Sequence, residues 1–170
     1  MPFIGIIAKE NDNNFIKNAI IKNAKINKFE VININKKSIE NIKNIKFDIL
    51  VANEDMEELL KHSKYLENII NKSYYVIINS DVKNNLAIIK NLNTNIITYG
   101  FNEKATITIS SIKEENTMLC IQRNIKKIDG KIIEEQEENI KIEKNNIKKL
   151  YNVLVIFTIL RIYGENLKKI

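Results

Sequence analysis

The stretch from Tyr74 to Phe101 constrains the fold more than any other part of this chain. It opens with aromatic and β-branched residues, Tyr74 to Ile78, which predict a strand covered on both faces, as parallel strands are. Asp81 then suits a helix N-cap, and apolar residues at helical spacing follow it. A second short strand is predicted from Asn95 to Thr98. The stretch therefore predicts one β-α-β unit with a right-handed crossover.

The chain before this unit repeats the alternation of strands and helices. Strands are predicted at Phe3 to Ala8, at Phe29 to Ile34 nearer an edge of the sheet, and at Phe47 to Ala52. Helical spacing of apolar residues predicts helices over 15–26 and 56–72. Strands that alternate with helices are typical of a mostly parallel sheet, so we expect an α/β fold with helices flanking that sheet.

After Gly100 the pattern becomes strand-rich. Alternating segments predict a small antiparallel sheet or meander over 101–145, and Asp129-Gly130 is a two-residue hairpin signal that calls for positive φ at both positions. A helix over 146–163, apolar almost all round, should be buried on more than one side, with Gly164 as its C-cap. We expect one domain, with a parallel part over 1–100, a β-rich segment over 101–145 and a closing helix over 146–164.

Length and composition exclude several classes of protein. A chain of 170 residues is long enough for one well-packed domain, and no apolar run is long enough to cross a bilayer. The start of the chain does not resemble a signal peptide. A lone cysteine, Cys120, predicts no internal disulfide, and a lone histidine, His62, predicts no typical zinc site. We therefore expect a protein of the reducing cytoplasm that has no membrane partner.

The basic net charge is a weak argument for nucleic-acid binding. The formal charge is +6, but lysines are spread along nearly every segment and interleaved with Asp and Glu. A nucleic-acid surface gathers basic residues into a stripe, often with aromatic residues for stacking. A solvated, mildly basic surface explains the pattern better, and the nucleic-acid interpretation predicts retention on heparin at low salt.

The segment after the first strand is where a nucleotide-binding protein would place a phosphate loop. Here that segment, Lys9 to Asn14, contains no glycine and no Lys-Ser or Lys-Thr pair. Its carboxylates Glu10 and Asp12 would repel a triphosphate. We therefore predict an ordinary surface turn, in which Asp12 or Asn13 caps the following helix.

Three short motifs, taken in order, resemble a known family. They are a strand ending in Asn79-Ser80-Asp81, a strand ending in Thr98-Tyr99-Gly100, and a helix opening Tyr151-Asn152-Val153-Leu154. Together they resemble the central, ATP-binding domain of the Mur ligases, the amide-forming enzymes of peptidoglycan precursor synthesis. The likeness extends from about Phe47 to Gly164, and it implies a P-loop-like Rossmannoid sheet.

Compared residue by residue with the family's motifs, this sequence lacks several of the family's functional groups. The phosphate lysine and glycines are absent, Asn53-Glu54-Asp55 replaces the family's Asp-His-x-Asp, and Val82 replaces a second aspartate. Asn152 matches an asparagine that faces the adenine in the family. The resemblance thus implies Asn152, Asn79 and Asp81 as remnants of the cofactor-binding motifs, with no catalytic residue and no metal ligand retained. The substrate and C-terminal domains of the family have no counterpart in this sequence.

The sequence therefore leaves two main functional hypotheses. The first is a non-catalytic, Mur-ligase-like module for binding, scaffolding or regulation, without a cofactor, that contacts a protein partner or a second copy of itself. The alternative is an enzyme that uses ATP with magnesium or a UDP-linked precursor, with phosphates held by Lys9, Lys17 or Arg123. Cys120 is predicted to be a small buried residue rather than a nucleophile, because no histidine is available to activate it.

Overall fold

The computed structural model describes residues 1–25, 29–54, 56, 59, 63–88, 94–113, 116–143, 146, 149–167 and 169–170. As far as β5 its strands are separated by helices, except that β3 follows β2 without a described helix, and from there to the last helix the elements are strands. In chain order they are β1 Phe3–Ile7, α1 Glu10–Asn23, β2 Glu30–Asn33, β3 Ile49–Ala52, α2 Ser63–Lys72, β4 Tyr75–Asn79, α3 Lys83–Ile88, β5 Asn95–Tyr99, β6 Ile107–Ile112, β7 Asn116–Ile121, β8 Ile125–Lys126, β9 Ile132–Ile133, β10 Gln136–Lys141 and α4 Leu150–Ile162.

Eight of these strands form one sheet in the order β10-β7-β6-β5-β4-β3-β1-β2. All pairs from β2 to β6 are parallel, which confirms the predicted α/β class and the edge position of β2. The antiparallel strands β7 and β10 extend the same sheet through β6. The β-rich segment is thus not a separate small sheet, apart from the two-stranded β8–β9 hairpin.

The two faces of the sheet carry different helices. Alternate residues of the buried strands point to opposite sides, so Ile49 and Val51 join one core cluster while Leu50 and Ala52 join the other. The first cluster contains the apolar residues of α1 and α4, and the second contains those of α2 and of the turns around Ile39. The strand order 2-1-3-4-5 within this sheet is that of doubly wound, flavodoxin-like sheets.

The closing helix α4 lies deep in the protein, as its composition predicts. Every residue from Asn152 to Leu160 is buried. The helix packs against the sheet on one side and against α1 on another. It ends in a Schellman motif, because Gly164 N–H donates to Arg161 O and Glu165 N–H donates to Leu160 O. The predicted C-cap region is therefore confirmed, although the regular helix begins at Leu150, four residues later than predicted.

Two local predictions are wrong. The segment from Lys9 to Asn14 is not a surface turn, because α1 begins at Glu10 and Lys9 itself is the N-cap. Neither Asp12 nor Asn13 caps this helix, since both lie inside its first turn. The β8–β9 connection is also longer than two residues: only Gly130 has positive φ (85°), and Lys127 N–H bonds to Lys131 O across the turn.

The α3 helix begins at Lys83, two residues after Asp81, which the sequence placed at its N-cap. The prediction for His62 lies outside the described residues. Within the described residues, no helix combines the length and apolar character needed to cross a membrane.

Candidate functional site

Polar side chains gather where the parallel strands β1, β3, β4 and β5 end. The carboxyl ends of parallel strands share one edge of the sheet, and ligands of open α/β sheets bind outside that edge, where the strand order reverses. Here the reversal lies between β1 and β3, because the chain runs from β1 to β2 on one side and then continues in β3 on the other. This edge is therefore the first place to look for a site.

A chain of side-chain hydrogen bonds crosses the reversal point. The Tyr99 hydroxyl at the end of β5 donates to Asn53 Oδ1 (2.6 Å), and Asn53 Nδ2 donates to Asn152 Oδ1 (2.7 Å). Asn152 Nδ2 then donates to Asp12 Oδ1 of α1 (2.6 Å). The Asn152 side chain is only 4% exposed, and Tyr99 is fully buried. The chain, which we call the Asn152 chain, ties β3, β5, α1 and α4 together.

The junction of β1 and α1 is the next part of this edge. Ala8 and Lys9 alone separate the strand from the helix, and no side chain of α1 caps its N-terminus. Instead the Glu54 carboxylate, which follows β3, accepts the backbone N–H of Lys9 (3.1 Å). Glu10 and Asp12 add two carboxylates to the first helical turn. A helix N-terminus favours negative charge, and here the chain supplies that charge itself.

The ends of β4 and β5 are joined by a second polar group, the Asp81 cluster, made of Asp81, Asn102, Phe101 and Tyr151. Asp81 Oδ2 accepts hydrogen bonds from the Phe101 N–H (2.7 Å) and the Tyr151 hydroxyl (3.0 Å), while Oδ1 accepts one from Asn102 Nδ2 (2.6 Å). The carboxylate lies so close to Gly100 that a Cβ there would be 2.8 Å from Asp81 Oδ1.

These contacts shift two pKa values. Partial burial acts to raise the pKa of Asp81, but hydrogen bonds from Asn102, Phe101 and Tyr151 outweigh it and hold that pKa below its ordinary value. Burial, together with the hydrogen bond to Asp81, raises the pKa of Tyr151 to about 12. Near neutral pH the cluster therefore contains an ionised carboxylate that accepts a bond from a protonated phenol.

Asn79 and Asn85 shape the loops behind these clusters. Asn79 Oδ1 accepts the Asp81 N–H (3.0 Å), which fixes the turn after β4. The fully buried Asn85 accepts the Met56 N–H (3.1 Å) and donates to the Glu54 carbonyl (3.0 Å), so it links the loop after β3 to α3. Sequence reasoning missed Asn53, because an asparagine beside a strand end also suits an ordinary turn, and it missed Asn85, which lies within α3.

The site residues implied by the resemblance therefore come together at one edge. Asn79, Asp81 and Asn152 all lie at the carboxyl ends of the strands, but each is engaged by the chain's own groups. Of the three residues proposed to hold phosphate, Lys9 lies at this edge, whereas Lys17 is exposed on α1 and Arg123 bonds to the Lys104 carbonyl beyond β7.

Cys120 lies half-buried on β7, as a member of the sheet rather than of the edge. Burial raises the pKa of its thiol, and the nearby carboxylates Glu137 and Glu135 raise it further. A protonated thiol is a poor nucleophile. The prediction that Cys120 is buried is met only in part, because the residue is half-buried. Among the described residues, no group of three or more His, Cys, Asp or Glu side chains is arranged to hold a metal ion.

A cavity of about 460 Å³ opens beside the edge, at the ends of β1, β2 and β3. Its floor is apolar and includes Ile7, Ile34 and Leu59, while Lys9, Lys36 and Glu54 lie at its rim. Its volume falls within the range of small-molecule sites.

No protein-family model matches this chain, and no curated protein shows a significant match to it. The resemblance to the Mur ligases thus stays a prediction from three short motifs.

Proposed function

We propose that this protein is a non-catalytic, Mur-ligase-like domain that serves in the cytoplasm as a binding, scaffolding or regulatory module, linked to cell-wall precursor metabolism. The observation that carries the proposal is the Glu54 carboxylate on the Lys9 N–H, at the N-terminus of α1. In a nucleotide-binding protein this position belongs to a phosphate. Here the chain's own anion lies in that place.

Electrostatics oppose a bound polyphosphate at this junction. The Glu54 carboxylate accepts the N–H of Lys9, the N-cap residue of α1. Glu10 and Asp12 lie in the first turn of the same helix. Two like unit charges about 5 Å apart repel by about 3 kcal/mol at an effective dielectric constant of about 20. A triphosphate would meet several such repulsions, and in the sequence from Ala8 to Asn14 the one basic residue is Lys9.

The state of Asn152 supports the same conclusion. Its oxygen accepts from Asn53, its nitrogen donates to Asp12, and the residue is only 4% exposed, so an adenine at this amide would compete with two partners that are already in place. Displacement would leave a buried polar group without a hydrogen bond, which costs about 1–3 kcal/mol. We infer that Asn152 now stabilises the fold in place of binding a base, and that the module's partner is a protein or a second copy of the chain.

Isothermal titration with ATP and magnesium tests the proposal. We expect no micromolar binding to the wild-type protein. Glu54→Gln should bind ATP more tightly than the wild type, because the amide oxygen still accepts the Lys9 N–H while one repelling charge is removed. Glu67→Gln, which neutralises an exposed carboxylate on α2, is the matched control and should leave binding unchanged. Micromolar binding of ATP to the wild type would contradict the proposal.

A second candidate is an enzyme of the same lineage that still uses a nucleotide or a UDP-linked precursor. The observation that favours it is the cavity at the strand ends with Lys9 at its rim. This candidate predicts a release of phosphate that depends on the precursor and disappears in Asn152→Ala. Absence of that activity across ATP and UDP-linked precursors would leave the non-catalytic module as the better explanation.

A further inference from the structure

The Asp81 cluster exposes two aromatic rings beside a carboxylate. Phe101 is 45% exposed and Tyr151 is 36% exposed, and their rings meet edge to face with centroids 4.7 Å apart. The Phe101 N–H and the Tyr151 hydroxyl both donate to Asp81 Oδ2, so rings and carboxylate form one surface. Neither of the two core clusters formed by the described residues includes these rings. The polar cluster therefore holds the rings at the surface, outside the core.

The Asp81 carboxylate keeps its negative charge without a cation of its own chain. Partial burial acts to raise the pKa of Asp81, but the hydrogen bonds of the cluster outweigh it and hold that pKa below its ordinary value. Lys83 and Lys104 lie near the cluster in the sequence. Even so, no lysine or arginine among the described residues forms an ion pair with Asp81. The charge is therefore left for a cation from outside the chain.

The neighbouring side chains at this edge carry the same sign of charge. Asp12 accepts a hydrogen bond from Asn152, the residue that follows Tyr151. The Glu54 carboxylate lies beyond it, at the N-terminus of α1. The carboxylates that repel a polyphosphate at this edge attract a cation, so the same electrostatics that oppose ATP favour a positively charged ligand.

An exposed ring beside a carboxylate suits the guanidinium group of arginine. A guanidinium is planar and weakly hydrated, so it can lie on an aromatic face while its N–H groups approach an anion. The ammonium group of lysine is compact and strongly hydrated, and it loses more of its hydration on a ring. Asp81 already accepts three hydrogen bonds, so an arginine gains from its charge and from the ring of Phe101 rather than from a bidentate pairing.

A second copy of the chain does not offer such an arginine. The sequence contains two arginines, Arg123 and Arg161. Arg161 pairs with Glu138 and donates to Asn166, and its side chain is only 14% exposed. Arg123 donates to the Lys104 carbonyl. Both guanidinium groups are engaged within their own chain, which favours a different protein as the source of the arginine.

We propose that the Asp81 cluster is a docking site for an arginine side chain of a protein partner, with the guanidinium stacked on Phe101 and paired with the Asp81 carboxylate. The proposal gives a partner chemistry to the binding module described above, and it rests on that function. The exposed rings supply the contact area, and the carboxylate supplies the preference for a cation.

Three short peptides test the chemistry of the site. Acetyl-Gly-Arg-Gly-amide is titrated into ¹⁵N-labelled protein, beside the same peptide with lysine or with citrulline, the uncharged analogue of arginine. We expect the arginine peptide to shift the backbone amides of Phe101, Asn102 and Tyr151. Citrulline should bind about tenfold more weakly, because both the ion pair and the cation–π contact are lost. Lysine should bind about threefold more weakly, because its ammonium stacks less well.

The net charge of the protein removes a trivial explanation of such binding. The chain has a formal charge of +6, so the molecule as a whole repels a cationic peptide. A response confined to the amides of Phe101, Asn102 and Tyr151 therefore reports a local site.

Two variants separate the carboxylate from the ring. Asp81→Asn removes the charge, and Phe101→Leu removes the ring but keeps the backbone N–H that bonds to Asp81. We expect each to weaken binding of the arginine peptide about threefold. Glu67→Gln, at an exposed carboxylate of α2, and Tyr74→Leu, at a 41% exposed ring before β4, are the matched controls and should leave affinity unchanged. Circular dichroism verifies that all four variants are folded.

Four results would overturn the proposal. Equal affinity for the arginine and citrulline peptides would mean that charge is not recognised, and wild-type affinity in both Asp81→Asn and Phe101→Leu would place the peptide elsewhere. Absence of shifts at the three amides would mean that no site exists there. Self-association of the wild type that disappears in both Asp81→Asn and Arg123→Gln would identify a second copy as the source of the arginine.

These outcomes are separate from the test of the non-catalytic assignment. None of the peptide titrations involves ATP, so a failure to bind arginine leaves that assignment in place. Conversely, micromolar binding of ATP would overturn the assignment even if the arginine peptide binds as expected.

Discussion

The Asn152 chain and the Asp81 cluster lie at the same edge of the sheet and use similar bonds, yet they differ in depth. Asn152 and Tyr99 are buried, and their hydrogen-bond partners Asn53 and Asp12 are half-buried. Asp81 is exposed, and Tyr151 beside it is 36% exposed. The comparison shows how one edge can hold a structural tie and a solvent-facing cluster side by side.

Depth decides what each group contributes. A buried polar group that loses its partner keeps the full cost of its removal from water, whereas an exposed one is rehydrated. The Asn152 chain should therefore behave as part of the core, and its loss should lower the free energy of unfolding. The Asp81 cluster should respond more to pH and salt, because its charge remains in contact with solvent.

Removal of Asn152 should give the largest effect. Asn152→Ala leaves Asn53 Nδ2 and Asp12 Oδ1 without partners, and we expect the free energy of unfolding to fall by about 3 kcal/mol. Urea denaturation followed by circular dichroism measures the change. Asn14→Ala, at an exposed position of α1, is the control and should change stability by less than about 0.5 kcal/mol. A loss of stability as small as the control's would show that the Asn152 chain of hydrogen bonds does not stabilise the fold.

Loss of the Tyr99 hydroxyl should have an intermediate effect. Tyr99→Phe keeps the ring in the core but removes the bond to Asn53 Oδ1, and we expect a loss of about 1–1.5 kcal/mol. Tyr74→Phe removes a hydroxyl from a 41% exposed side chain and serves as the matched control. Denaturation of Tyr99→Phe, Asn152→Ala and the double variant should show coupling, since both residues bond to Asn53. If the stability losses of the two single variants add up to that of the double variant, Tyr99 and Asn152 are not coupled through Asn53.

The sequence predicts the sheet better than it predicts the site. Strands such as β4 are marked by apolar runs, here Tyr75 to Ile78, because a strand buried on both faces is apolar at nearly every position. The burial of α4 follows from its composition for the same reason. Such patterns are local, so they can be found without knowing what packs where.

The site depends on distant parts of the chain, and its partners leave no local pattern. Asn152 and Asp12 are 140 residues apart, and Asn53 and Asn152 are 99 apart. Asp81 has the composition of a helix N-cap, but its carboxylate bonds to Phe101, Asn102 and Tyr151, which only the folded sheet brings near. The first turn of α1 has the composition of a loop, because its Asn and Asp residues favour turns, but burial of Asn13 and Ile16 overrides that preference.

Neutralisation of Asp81 should have the smallest effect at neutral pH and the clearest pH dependence. Asp81→Asn places an amide where three donors converge, and we expect a loss of about 1 kcal/mol at pH 7, reduced by solvent screening. The hydrogen bonds hold the pKa of Asp81 below its ordinary value of 3.8, so its contribution is complete above that value and is lost as the pH falls through the folded-state pKa. The stability difference between wild type and Asp81→Asn should therefore be constant from pH 7 to about pH 5 and vanish in stronger acid.

Glu67→Asn, on the exposed face of α2, controls for the change in net charge. A difference that persists unchanged in strong acid would mean that the ionised carboxylate does not hold the cluster together.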